Sequence, residues 1–191
     1  MLVVFDSNVL LPVLMPGLNP PLDPSTGLPV AHFDEKLSHL VTTLSKSRAK
    51  ILIPTPVLTE VLCHAGAAGP GITQQLQQSP FQLASFDIRA AVDCADLLAL
   101  HYAKRSNEAR KGRAPKAKPG ARDKVKFDRQ VIAIAKSRGA DVLYSDDEDV
   151  EKEGRRVGLK VVRTWELERD PATAQGKLDL VHAANPLEGT W

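Results

Sequence analysis

Carboxylates at four places in this sequence sit where an apolar core would ordinarily exclude them. Asp6 ends the run Met1-Leu2-Val3-Val4-Phe5, although a buried parallel strand favours apolar residues along its length. Glu60 falls inside the helical pattern at 55–65 with Pro56, Val57, Cys63 and His64 as its neighbours three and four away, beside the buried stripe rather than opposite it. Asp128 follows Phe127 and shares a flank with Ile132, and a cluster of Asp146, Asp147 and Asp149 closes the run Val142-Leu143-Tyr144. Singly, each acid has an ordinary role: an Asp after a strand caps the next helix, and Glu60 or Asp128 suits the edge of a core. As a set they make a different case. Two carboxylates about 4 Å apart repel by roughly 4 kcal/mol at an effective dielectric near 20. Four converging acids therefore take up protons or bind a divalent cation. Oxygen-only ligands suit Mg²⁺ or Mn²⁺, and no Cys/His cluster offers a zinc site. Such an ion suits hydrolysis of a phosphodiester, by activating water and offsetting charge on the phosphoryl oxygens.

The elements that would position these acids are legible in the periodicity. A strand over 2–5 leads into a helix from Ser7 to Leu14, with Asp6 or Ser7 as its cap. The turn formers from Pro16 to Gly27 mark a surface loop. Leu37, Leu40, Val41 and Leu44 give a helical stripe over 33–48, and Ile51-Leu52-Ile53 is a buried strand. Pro54-Thr55-Pro56 opens a helix with Thr55 as cap, Val57, Leu58, Val61, Leu62 and Ala65 as its apolar face, and Gly66 as its end. A weaker helix is expected near 70–78. Asp87 caps a longer one to about residue 105, whose apolar face reads as Ile88, Ala91, Val92, Ala95, Leu98, Ala99 and Tyr102. A helix from Asp123 to Arg138 presents Phe127, Val131, Ile134 and Ala135 and is closed by Gly139. The strand at 142–144, a helix to about Val157 and a strand at 160–162 complete the pattern. Short strands alternating with helices predict an α/β domain with a mainly parallel sheet. Functional sites of such sheets lie at the carboxyl ends of the strands, where Asp6 and the 146–149 cluster fall.

A chain of 191 residues suits one domain. Its 43% hydrophobic and 25% charged residues are ordinary for a soluble protein. No stretch approaches the roughly 18 apolar residues of a membrane span, and no basic n-region leads an apolar h-region. Cys63 and Cys94 lack metal-ligand spacing, and core thiols in a reducing cytoplasm are expected. The net charge of +2 conceals an asymmetry. Residues 104–126 hold ten Lys/Arg against two acids, leaving 15 basic and 21 acidic residues elsewhere, a formal −6. A basic tract on an acidic body suits a polyanionic partner, with Lys111, Arg113, Lys116 and Lys118 as phosphate contacts. A solvated loop would have the same composition.

The acid-bearing blocks resemble those of the PIN-domain ribonucleases, a family that includes the toxin halves of type II toxin–antitoxin pairs. The blocks are Val4-Phe5-Asp6-Ser7-Asn8-Val9-Leu10, Pro54-Thr55-Pro56-Val57-Leu58-Thr59-Glu60-Val61, Phe127-Asp128-Arg129-Gln130-Val131-Ile132-Ala133-Ile134-Ala135 and Leu143-Tyr144-Ser145-Asp146-Asp147-Glu148-Asp149-Val150. No single block is specific, but their order and spacing agree with the family. The resemblance implies a PIN-like α/β/α sandwich over residues 1–168, with the basic insertion at 104–126 and a tail at 169–191. It implies a cytoplasmic, metal-dependent endoribonuclease using Mg²⁺ or Mn²⁺, with RNA as substrate, and an antitoxin protein and a homodimer as partners. By position, Asp6, Glu60 and Asp128 would be the first three catalytic and metal-binding acids. Asp147 would be the fourth, in a Ser/Thr-x-Asp pattern begun by Ser145, with Asp146 as its rival and Asp149 in support. Asn8 and Ser145 would position acids or water.

Two other readings fit parts of the chain. A haloacid-dehalogenase-like phosphotransferase also places acids after its first and a later strand, but its first motif needs a second Asp where Asn8 stands, and it gives Asp128 no role. A catalytically silent RNA- or partner-binding domain would need only the basic tract. That tract has no aromatic residue between Arg105 and Lys126 on which a base could stack. His64, one turn after Glu60, reads as a boundary histidine, and Trp165 and Trp191 as packing residues.

Overall fold

Five short strands, β1 (Leu2–Phe5), β2 (Lys50–Pro54), β3 (Phe81–Ala84), β4 (Val142–Tyr144) and β5 (Lys160–Val162), form a single sheet in the order β3-β2-β1-β4-β5. This computed structural model describes residues 1–77, 80–112 and 121–174. Every strand pair is parallel, with Val4 opposite both Leu52 and Leu143. β1 is therefore central. Val3, Val4 and Phe5 are fully buried, which is why their run is apolar without alternation. The α-helices among the described residues are α1 (Ser7–Leu14), α2 (Phe33–Lys46), α3 (Thr55–Ala65), α4 (Gly69–Gln77), α5 (Ile88–Arg110), α6 (Ala121–Ser137), α7 (Glu148–Arg156) and the short α8 (Pro171–Ala174). No helix among the described residues is long and apolar enough to cross a membrane.

Most boundaries follow from local chemistry. Asp6 caps α1, and Asp87 caps α5 by accepting the Ala90 N–H at 2.9 Å. α3 begins one residue earlier than expected: Thr55 is already helical, Pro54 holds the cap position, and Pro56 lies in the first turn. Gly139, at φ +67°, ends α6 in the left-handed region, and the Ala140 N–H returns to the Ala135 carbonyl at 2.9 Å.

Three features differ from expectation. β3 has no apolar run to announce it, because it is an edge strand whose Gln82 and Leu83 face solvent. α5 continues to Arg110 and buries a different face: Ala90, Cys94 and Leu97 are inside, whereas Ile88 and Val92 are 85% and 61% exposed. With the stripe 90–94–97 turned inward, Asp93 pairs with Lys136 of α6 at 2.7 Å and Asp87 with Arg138, just beyond α6, at 3.0 Å. Phe127, expected in the core, is half exposed. The basic tract is partly helical: Lys104, Arg105 and Arg110 extend α5, Lys111 follows it, and Lys124 and Lys126 belong to α6. Arg113, Lys116, Lys118 and the tail beyond residue 174, including Trp191, lie outside the described residues.

Close packing of α7 on β5 needs a bare backbone. A Cβ on Gly154 would come 2.8 Å from Cγ2 of Val161, which is buried. Gly154→Leu should therefore overpack this contact by about 1–3 kcal/mol, lowering Tm by about 2–4 °C per kcal/mol at this chain length. Thermal unfolding checks it, and an unchanged Tm would contradict the packing.

Candidate functional site

The parallel pairing of β1 with β4 sets Phe5 opposite Tyr144. The residues that follow each strand therefore emerge side by side. The Asp6 N–H donates to the Tyr144 carbonyl at 3.0 Å, placing Asp6 beside Ser145. The Ser145 hydroxyl donates to Asp6 Oδ2 at 2.6 Å and accepts the Asp147 N–H at 3.2 Å. Asp6 Oδ1 accepts the Ser7 N–H at 2.8 Å. Asn8 Oδ1 accepts the Asp146 N–H at 3.1 Å, tying the start of α1 to the turn after β4.

An open cleft of about 490 Å³ lies over these strand ends, lined by Asp6, Asn8, Glu60, Lys124, Asp128 and Asp147 among others. The acids reach it from four elements. Asp6 comes from the end of β1, the exposed Glu60 from α3 and Asp128 from α6, while Asp147 is the cap of α7. Ligand oxygens of Asp128, Asp147 and the exposed Asp149 lie within 4.8 Å of one another. The turn at 145–149 separates the two adjacent acids. Asp147 faces the cleft. Asp146 turns away, its carboxylate accepting the Thr164 N–H at 2.7 Å and the Thr164 hydroxyl at 2.6 Å.

Burial and like charge shape the ionisation of these groups. Burial pushes the Asp6 carboxyl up to about 6, against hydrogen bonds from Ser145 and the Ser7 amide, and the charges of Glu60 and Asp147 push the same way. Burial and the neighbouring Asp147 charge raise Asp128 to about 7, with Lys124 opposing. Burial also acts upward on Asp147, but the Lys124 hydrogen bond and the Val150 and Asp149 amides outweigh it and hold this carboxyl below its ordinary range. Lys124 Nζ sits 2.7 Å from Asp147 Oδ2. Asp128 Oδ2 is buried and has no hydrogen-bond donor among the described residues.

Sequence reasoning passed over several lining residues. Lys124 was visible only as one cation of the basic tract, although it stands four residues before Asp128, one turn away on the same helix face. Thr59, Phe127 and Cys63 also line the cleft. Cys63 is exposed, a correction to the core role expected for it, whereas Cys94 is buried as expected. Cys63 is on the flank of α3 that carries Glu60, away from buried Val57 and Val61. Trp165 packs as expected, its ring 4.9 Å from the Arg163 guanidinium.

No family model and no curated protein matches the chain. Among solved structures it is similar to VapBC2 from Rickettsia felis bound to a DNA fragment from their promoter, at 14% identity and a TM-score of 0.50, over 85% of this chain and 98% of that one. A DNA-bound VapBC from Salmonella typhimurium matches at 18% identity and a TM-score of 0.49, over 86% and 99%. At such identities the first likeness speaks for the fold, and it agrees with the PIN-like α/β architecture that the four blocks imply.

The ionisation pattern has a consequence for stability. Asp6 and Asp128 titrate higher in the folded chain than in the unfolded one, so the folded state binds more protons between about pH 4 and 7. Their contribution is fully present below the unfolded value and is lost as pH rises through about 6 and 7. In EDTA, Asp128→Asn should raise Tm relative to the parent at pH 8 and change it little at pH 5. Melts at the two pH values check this, and an equal shift at both would contradict it.

Proposed function

We infer that this protein is a metal-dependent endoribonuclease that hydrolyses RNA phosphodiesters at the carboxyl edge of its sheet. The observation that carries this reading is the buried Asp128 Oδ2, which has no donor among the described residues and lies in a cluster with Asp147 and Asp149. A buried carboxylate oxygen without a partner is costly unless it is protonated or meets a cation. The donors are all oxygens, which fits Mg²⁺ or Mn²⁺ and not zinc. Asp6, Glu60, Asp128 and Asp147 would hold the ion, with Asp149 at the exposed margin. When bound, the ion would supply Lewis acidity and lower the pKa of water.

The chain's own residues have separable tasks. Ser145 fixes the Asp6 carboxylate from one side and the Asp147 backbone from the other. Asn8 holds the turn in which Asp147 faces inward and Asp146 outward. Lys124 balances the charge of Asp147, and its exposed ammonium is placed to meet a phosphate arriving at the cleft. Lys111 and its neighbours in the tract, Arg113, Lys116 and Lys118, would add phosphate contacts. The phosphotransferase reading leaves Asp128 without a task and asks for an acid where Asn8 stands, so it accounts for less of the cleft. The four sequence blocks, together with the likeness in fold to VapBC2, make an antitoxin protein the partner to seek and a toxin role the biological reading.

Purified protein should cleave RNA with Mg²⁺ or Mn²⁺ and stop in EDTA. Asp6→Asn and Asp128→Asn should each lower the rate by about 100-fold or more, the scale of lost electrostatic stabilisation in catalytic sites. The Asp6→Asn exchange should also relieve any growth arrest caused by inducing the chain alone. Full cleavage by Asp6→Asn at matched metal would overturn the reading. Lys124→Met removes the cation competing for Asp147 Oδ2, so Mn²⁺ affinity measured by calorimetry should rise about two- to fivefold, as an exposed ion pair is worth about 1 kcal/mol or less. Weaker Mn²⁺ binding would show that Lys124 supports the ion instead.

A further inference from the structure

A second pocket, of about 380 Å³, opens between the C-terminal part of α5, the first half of α6 and the outer face of α7. Its walls are unusual in carrying a buried guanidinium. Arg129 is 3% exposed, its Nη2 lies 3.7 Å from Glu153 Oε1, and its Nε and Nη1 are buried without an acceptor among the described residues. Glu153 is shared, because Arg156 also pairs with it at 2.8 Å. One carboxylate thus serves two guanidinium groups and leaves positive charge uncompensated. Lys104, Arg105 and Lys152 add three further cations to the lining, none in an ion pair among the described residues. Asp149 and Glu108 are the remaining acids of the wall. Asp149 is also a member of the acidic cluster with Asp128 and Asp147, which line the cleft, so the two sites adjoin through that cluster.

We propose that this pocket is a phosphate subsite, taking a backbone phosphate of the RNA strand whose neighbouring phosphodiester lies at the acidic cleft. The assignment to RNA rests on the nuclease reading, whereas the anion chemistry stands on the pocket itself. Guanidinium groups suit phosphoryl oxygens because their planar N–H fork matches two acceptors at once. An anion drawn in by Lys104, Arg105 and Lys152 meets the uncompensated field of Arg129 at the pocket wall. Asp149 belongs both to the pocket lining and to the acidic cluster with Asp128 and Asp147, so the pocket lies beside that cluster.

The test uses the full chain in EDTA, where no cleavage is expected. The Arg129 Nε–H signal is followed by NMR during titration with inorganic phosphate and with a short single-stranded RNA, and RNA affinity is measured by fluorescence anisotropy at several salt concentrations. The Arg129 signal should move with both probes. Lys104→Gln with Lys152→Gln, both at exposed positions, should weaken RNA binding about tenfold and flatten the slope of log K against log salt by about 1.4, two contacts at roughly 0.7 each on a single strand. A control pair, Lys50→Gln with Lys160→Gln, removes equal charge at the amino ends of β2 and β5 and should change affinity far less. Equal loss in both pairs, or an Arg129 signal that moves with phosphate but not with RNA, would overturn the proposal. The nuclease reading is judged separately by Mn²⁺-dependent cleavage. If cleavage is absent while the binding pattern is as expected, the subsite stands and the nuclease reading falls.

Discussion

Like charges held together at the end of a parallel sheet are the constraint on which this structure turns. Asp6 and Ser145 are 139 positions apart in the chain, yet the β1–β4 register leaves them 2.6 Å apart, hydroxyl to carboxylate. The register in turn depends on Val3, Val4 and Phe5 being buried against β2 and β4. The apolar core and the polar edge are thus not independent parts. Moving β1 by one residue against β4 would reverse the faces of its side chains and carry Asp6 away from Ser145.

Around that edge the molecule divides positive charge into two kinds. Lys124 is exposed and paired with Asp147 at the cleft. Arg129, five residues later in the same helix, is buried against Glu153. The first can leave its partner at little cost because water replaces it. The second cannot, because a desolvated guanidinium needs acceptors wherever it sits. One helix therefore presents a mobile cation to the acids and a fixed one to the neighbouring pocket.

Much of this was legible in the residues. The strand at 2–5, the strand at 142–144 and the caps at Asp6 and Asp87 follow from short-range rules, and so does the left-handed Gly139. The convergence of Asp6, Asp128 and Asp147 on one cleft was legible only as a set, through order and spacing. What escaped depended on partners remote in sequence. The resemblance favours Asp147 over its rival Asp146, but the contact that turns Asp146 away comes from Thr164, 18 residues on. The two stripes of α5 are both helical in period, and only the partners of the folded chain, among them Lys136 and Arg138, distinguish them. β3 pairs, among the described residues, only with β2 and exposes Gln82 and Leu83, so its sequence need not be apolar. Cys63 and Phe127 read as core because their neighbours are, yet each sits one step off the buried stripe.

Asp6 and Asp128 differ in how their oxygens are used. Both oxygens of Asp6 accept hydrogen bonds, from the Ser7 amide and the Ser145 hydroxyl, which fixes the plane of the carboxylate and the directions of its remaining lone pairs. Asp128 Oδ2 accepts none among the described residues, and its carboxylate stands on a helix rather than at the end of the central strand. Rotation about its final side-chain bond therefore disturbs no hydrogen bond at that oxygen. Ions of different radius would then be accommodated on the α6 side, while the sheet side kept its bearing. Tolerance for more than one hard cation would come from that inequality between two chemically identical groups.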